Sequence, residues 1–151
     1  MGSDLRARLR AIGGAAKPEK PGGLVVRVYE EDVDPRLFAL DAAALRRSGM
    51  KGAWPGAEKT LFLDTETTGL SGGAGTVAFL IGFGFLSGGR FRVEQYMMRS
   101  YADEPLLIAR AAEIMTGFSA VVTFNGDSFD LPLLESRFTM CRMREAWRTL
   151  E

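Results

Sequence analysis

The chain contains no histidine and a single cysteine in 151 residues. Without histidine it builds no Cys/His zinc centre, no Ser-His-Asp triad and no Cys-His pair, and one cysteine forbids an internal disulfide. Neither sign of charge is in excess: Lys+Arg 19 against Asp+Glu 19 leaves a formal net charge of +0 at pH 7. No whole-molecule field draws the chain to nucleic acid or membrane, so any polyanion site must be local. Long apolar runs are missing too. The longest, Thr76 to Leu86, is broken by Gly82 and Gly84 and falls far short of the ~20 residues of a membrane helix. The first residues, MGSDLRARLRAIGGAAKPEKPGG, carry basic side chains but no apolar h-region, so they do not read as a secretory signal. A cytoplasmic protein with no membrane partner is expected.

What is present is an ordinary folded composition, 46% hydrophobic and 25% charged, which argues against disorder and fibrous repeats. Residues 1–23 mix arginines with glycines and prolines and read as a flexible basic arm, either a weak nucleic-acid tether or a solvated tail. Residues 24–58 form an N-terminal extension and linker: a strand over 24–30, a helix over 35–47 opened by Asp34 and Pro35, then the breaker-rich SGMKGAWPGAEK. The main unit spans 59–151. Strands are expected at LFLDTET, TVAFLIGFGFL and RFRVEQYMMR, separated by SGGAG and by the turn at Ser87–Gly89. Asp103 then caps a helix whose buried stripe is Leu107, Ala111, Ile114, Met115 and Phe118. AVVTF, 120–124, reads as a strand buried on both faces. A helix over 129–143 follows, with Leu131, Leu134, Phe138 and Cys141 on its inner side. The order βββαβα predicts an α/β fold: three antiparallel strands, then αβα, in a mixed sheet flanked by helices.

Two groups of residues carry candidate chemistry. Asp64 and Glu66 lie two apart on a strand, so both project from one face, roughly 7 Å apart along the backbone. Like charges at that spacing favour a hard divalent cation between them. The competing reading is a solvated strand end capped by Thr67 and Thr68, and chance alone supplies about 0.6 such pairs in this composition. The second group is FNGDSFDLPLLESRF. Asp130 stands at the start of a helix and at the carboxyl end of a strand, where ligands gather in α/β sheets; an N-cap is the alternative. Asp127 reads as a turn residue, Asn125 as a turn closure and Phe129 as core packing. GFGFLSGG lacks the GxGxxG spacing, and SGGAG is not followed by Gly-Lys-Ser/Thr, so neither is a nucleotide-cofactor loop. Arg137, Arg142, Arg144 and Arg148 form either a phosphate-backbone contact or a solvated helix face.

DTETTGL, followed some sixty residues later by Asn-x-x-x-Phe-Asp and LPLL, resembles the first two motifs of the DEDD superfamily of 3′-to-5′ exonucleases, the DnaQ-like nucleases with a ribonuclease H-like fold. DTETTGLSGGAGTVAFLIGFG with VVTFNGDSFDLPLLESRF is closer to the YprB-type ribonuclease-H-like domains of bacteria, and the match covers about residues 60–143. The resemblance implies that Asp64, Glu66 and Asp130 are catalytic and bind two Mg²⁺ or Mn²⁺ ions. It also implies that Thr67, Thr68, Gly69 and Leu70 approach the terminal nucleotide, Leu70 as an apolar wedge or else a buried loop residue, with Asn125 and Phe129 on the opposite wall. The implied substrate is a single-stranded DNA or RNA 3′ end. A noncatalytic nucleic-acid-binding or protein-interaction module on the same fold is the alternative.

The resemblance further implies a fourth carboxylate in a third motif, with a His or Tyr that positions water. No His is present, and the last Tyr is Tyr101. The third motif, with the fold's last strand and helix, is expected to be missing from these residues. A fragment, a domain completed by a partner, or a degenerate domain each fits. Little activity is expected from the chain as given, and strand 120–124 is expected to be left as an exposed edge open to self-association.

Overall fold

The computed structural model describes residues 23–34, 36, 43, 49, 51–69 and 75–148. Its strands are β1 (Val25–Asp32), β2 (Thr60–Thr67), β3 (Ala78–Ser87), β4 (Arg90–Met97) and β5 (Ala120–Val122). They form one sheet in the spatial order β1-β4-β3-β2-β5. β2 and β5 are parallel; the β1–β4, β3–β4 and β2–β3 pairs are antiparallel. The mixed α/β sheet expected from the element order is therefore the observed one. Its central register follows from two glycines. Gly88 and Gly89 have φ of 60° and 79°, the left-handed backbone that a two-residue hairpin loop requires. β4 returns directly along β3, Ser87 opposite Arg90 and Leu80 opposite Met97.

The strand placed by sequence in an N-terminal extension is part of this sheet. β1 pairs with β4 from Val25–Met97 to Asp32–Arg90, and Arg92 Nη1 lies 2.6 Å from Glu30 Oε1 across the join. The expected helix over 35–47 lies outside the described residues apart from Arg36 and Ala43, as do residues 1–22 of the arm.

Alternation along β2 divides the molecule into two faces. Leu61 and Leu63 are buried and point toward α1 (Glu104–Met115) and α2 (Leu131–Met140), where they join Ile81, Phe83, Leu107 and Phe138 in the core. Phe62, Asp64 and Glu66 leave β2 on the other face. No helix among the described residues is long and apolar enough to cross a membrane.

Three expectations need correction. Asp103 stands at the N-cap position of α1 as expected, but its side chain makes no cap hydrogen bond there: a single 3₁₀ turn, Tyr101–Asp103, capped by Ser100, precedes α1, and Asp103 Oδ2 accepts from Ser100 N at 3.1 Å and from Ser100 Oγ at 3.2 Å. Asp103 thus fills the third position of a capping box one turn earlier. The strand expected at 120–124 is only three residues long and is not buried on both faces, since Val122 is 38% exposed. It does lie at the edge of the sheet. The helix expected over 129–143 ends at Met140; Arg142 has φ 61°, and a separate helix α3 (Arg144–Arg148) begins beyond it. Glu145 therefore belongs to a different helix from Asp130.

Candidate functional site

Asp64 and Glu66 are both exposed, and the strand pleat sends them to one side. There they line a cleft of about 720 Å³ together with Phe62, Gly82, Gln95 and Phe124. The register explains why the cleft is open. Asp64 lies opposite Gly82, and Gly82 lies opposite Gln95, so the middle of this row has no side chain. A Cβ at Gly82 would find only the Asp64 carbonyl oxygen, 3.9 Å away. One step along, Gly84 is covered by Phe91 and Phe62, whose rings meet edge-on at 5.7 Å. Two glycines on one strand thus do different work: one makes room for an aromatic pair, the other leaves floor space beside a carboxylate.

Asp130 is buried, at 3% exposure. A wide π-helical turn, Gly126–Asp130, leads into α2, and Asp130 already has helical backbone angles, φ −63° and ψ −48°. It makes no side-chain cap hydrogen bond, so the N-cap alternative is set aside. Its carboxylate instead accepts from Thr65 Oγ1 at 2.7 Å and from Thr123 Oγ1 at 2.6 Å. Thr65 leaves β2 on the side opposite Asp64, so Asp130 supports the strand from the core face. Its charge still reaches Asp64. The Asp64 carboxyl is pushed above its ordinary value, first by burial against the cleft walls and then by the negative charge of Asp130, partly offset by a backbone hydrogen bond from Thr65.

Among the described residues no three His, Cys, Asp or Glu side chains come together as a group that could hold a metal ion. The chemistry of the donors nevertheless suits a hard cation. Asp64 and Glu66 offer only oxygen on one open face, and an ionised carboxylate has about four lone-pair sites, of which Asp130 has given two to the threonines.

The remaining described candidates do not line the cleft and belong to its framework. Thr67 Oγ1 donates to the Gly69 carbonyl at 2.8 Å, while Thr68 exchanges hydrogen bonds with Val77, its N donating to the Val77 carbonyl at 3.0 Å and its Oγ1 accepting from Val77 N at 3.1 Å. Both hydroxyls thus hold the turn that leaves β2. Leu70 lies outside the described residues. Asn125 closes the π turn, its Oδ1 accepting from Ser128 Oγ at 2.5 Å and its carbonyl from Phe129 N at 2.9 Å. Phe129 packs against the core. Asp127 forms an exposed ion pair with Lys51 at 2.7 Å, worth little in solvent. The arginine cluster does not exist as such: Arg137 is buried and paired with Glu104, and Arg148 faces Glu145 at 3.4 Å.

Two residues on the cleft went unnoticed in the sequence. Phe124 is fully exposed, although it ends an apolar run. Gln95 carries a solvent-shielded Oε1 with no hydrogen-bond partner among the described residues. Strand alternation from Asp64 through the hairpin register was the signal that would have found Gln95.

Residues 61–150 match the family model described as RNase_H superfamily. Over 83 residues the chain is 37% identical to the uncharacterized protein YprB of Bacillus subtilis (strain 168), a stretch amounting to 55% of this chain and 20% of that protein. The chain therefore spans about one fifth of that relative's length. No solved structure matches.

Proposed function

The chain belongs to the ribonuclease H superfamily, and from that premise we propose that it is a nuclease domain that hydrolyses phosphodiester bonds at the 3′ ends of single-stranded nucleic acid. The observation that carries this reading is the Asp64–Glu66 pair on one open sheet face, with Asp130 behind it. The DxE and NxxxFD motifs support assignment to the DEDD group and the polarity that goes with it. Asp64 and Glu66 would hold Mg²⁺ or Mn²⁺; Asp130, the third ligand that the motifs imply, is engaged by Thr65 and Thr123 behind the strand and would have to turn from them to reach an ion on that face. Such ions, when bound, neutralise phosphate charge and supply a reactive water at neutral pH.

The chain's own residues set the conditions. Repulsion between Asp64 and Asp130 makes the cleft receptive to cations. Thr65 and Thr123 hold Asp130 so that this field is fixed before substrate arrives. Gly82 keeps the floor low beside Asp64; the turn of Thr67, Thr68 and Gly69, which follows Glu66 in the chain, would approach the terminal nucleotide, and Asn125 would do so from the loop that follows Phe124. Asp64, Glu66 and Asp130 do not themselves converge into a metal-holding cluster, and no other such group is present among the described residues, so turnover by the chain alone is expected to be slow.

That missing cluster also favours a second reading, a noncatalytic nucleic-acid-binding or protein-interaction module on the same fold. Metal dependence separates the two. The purified chain is incubated with a 5′-labelled single strand and Mn²⁺ or Mg²⁺, alongside Asp64→Asn and Glu66→Gln. Stepwise shortening that both substitutions and a chelator abolish supports the nuclease. Binding without shortening, unaffected by metal or by either substitution, supports the module.

A further inference from the structure

Phe124 is an aromatic side chain with 101% relative exposure on the cleft that Asp64 and Glu66 line, and nothing in the core accounts for it. The parallel β2–β5 ladder ends at the Phe62–Val122 pair, and Phe124 follows two residues later in the bend that leads to the π turn. The ring and the Asp64 carboxylate both line the cleft.

The backbone around the ring is fixed. Thr123 Oγ1 donates to Asp130 at 2.6 Å and accepts from Asn125 N at 3.2 Å. A Cβ at Gly126 would fall 2.5 Å from Thr123 Cγ2, so the loop closes tightly behind the ring. The exposure of Phe124 is therefore built in, and the aromatic face is presented before any ligand arrives.

We propose that Phe124 is the stacking platform for an unpaired base next to the scissile phosphate, and that it makes the site selective for single strands. This deepens the nuclease reading and rests on it. Every base has a π face, so a phenylalanine here grips a strand without reading its sequence. A base inside a duplex is already stacked on both sides and is not free to use the ring. The metal-receptive carboxylates lie within the same cleft, so a stacked base brings its phosphate toward Asp64. Gln95, across Gly82 in the same row, lines the cleft further along the strand's path.

The test uses the 151-residue chain with Ca²⁺ in place of Mg²⁺, and single-stranded and duplex oligonucleotides carrying 2-aminopurine near the 3′ end. The wild type should bind the single strand and change its fluorescence, and should bind the duplex more weakly. Phe124→Ala and Phe124→Leu should weaken single-strand binding roughly 5- to 150-fold and lose the fluorescence change, and Phe124→Trp should retain both. An exposed ring contributes nothing to the core, so the circular dichroism of all three variants should match the wild type. Asp64→Asn should keep the fluorescence change with Ca²⁺ and lose any hydrolysis when Mg²⁺ or Mn²⁺ replaces it, which separates failure of the stacking site from failure of the nuclease reading. Unchanged affinity and fluorescence in Phe124→Ala would overturn the proposal. So would full retention in Phe124→Leu, no single-strand binding by the wild type, or a Phe124→Ala effect confined to the sedimentation of dimers, which would assign the ring to contact between copies.

Discussion

Arg137 and Glu104, on α2 and α1, meet as a two-point ion pair: Nε lies 2.5 Å from Oε1 and Nη2 2.7 Å from Oε2. The pair fixes how the two helices sit over the sheet, and Arg137 also donates to the Thr76 carbonyl at 3.5 Å just before β3.

The side chains of Arg137 and Glu104 are only 7% and 12% exposed, so neither charge is solvated if the other is removed. Glu104→Gln is expected to cost about 3–5 kcal/mol, mostly the penalty of a stranded guanidinium. Replacing both, Glu104→Leu with Arg137→Met, should recover most of that loss, because a buried pair is close to break-even against apolar residues of similar volume. Urea unfolding of the single and double variants measures both quantities. A single substitution costing under about 1 kcal/mol would mean that water reaches the pair.

Glu94 is expected to give the fold its acid sensitivity. Burial alone would raise its pKa, but hydrogen bonds from Tyr96 and Arg92, with the charges of Arg92 and Arg110, outweigh burial and hold it below its ordinary value of 4.5. A carboxylate depressed in the folded state contributes stability above its unfolded pKa and loses it as pH falls through the folded one. The wild type should therefore lose stability as pH drops below 4.5. Glu94→Gln should be less stable at pH 7 and show a shallower decline in acid, read from unfolding midpoints across that range.

These contacts mark where sequence reading stops. The central strands were legible because Gly88 and Gly89 punctuate two apolar runs, and the Asp64–Glu66 face followed from strand period alone. Arg137 looked like a surface residue because its partner is 33 positions away, and no local pattern announces such a pair. Asp130 looked like a cap because a π turn at Gly126–Asp130 has no signature distinct from a loop ending at a helix. Residues 120–124 looked like a buried strand because an all-apolar run hides which residues face outward, and so the exposure of Phe124 was concealed.

Asp64 should show opposed effects on stability and activity. Burial first, and then the charge of Asp130, raises its pKa above 3.8. A carboxyl raised in the folded state gives its full contribution below the unfolded pKa and loses it as pH rises through the folded one, so at neutral pH the ionised group works against folding. Asp64→Asn is expected to be as stable as the wild type or more so at pH 7, while losing any metal-dependent hydrolysis. Millimolar Mg²⁺ or Mn²⁺ should raise the melting temperature of the wild type and leave that of the variant unchanged. Equal stabilisation of both by metal would place the cation elsewhere.

The two glycines of the cleft face separate architecture from binding. A Cβ at Gly84 would lie 2.8 Å from Phe91 Cζ and 3.4 Å from Phe62 Cβ, so Gly84→Ala must push the paired rings apart, at a cost of about 1–3 kcal/mol. A Cβ at Gly82 meets nothing nearer than 3.9 Å, and replacing a strand glycine with alanine removes an entropic penalty of roughly 0.5–1 kcal/mol. Gly82→Ala should therefore be neutral or slightly stabilising. Its methyl group nevertheless stands on the floor between Asp64 and Gln95, where a bound strand would lie, so single-strand affinity should fall although the fold is intact. Thermal unfolding and oligonucleotide titration of the two variants, run side by side, decide the matter. Loss of stability in Gly84→Ala with loss of binding in Gly82→Ala identifies this face as the one that receives nucleic acid. Full binding by a well-folded Gly82→Ala variant would move the strand off the Asp64–Gln95 row.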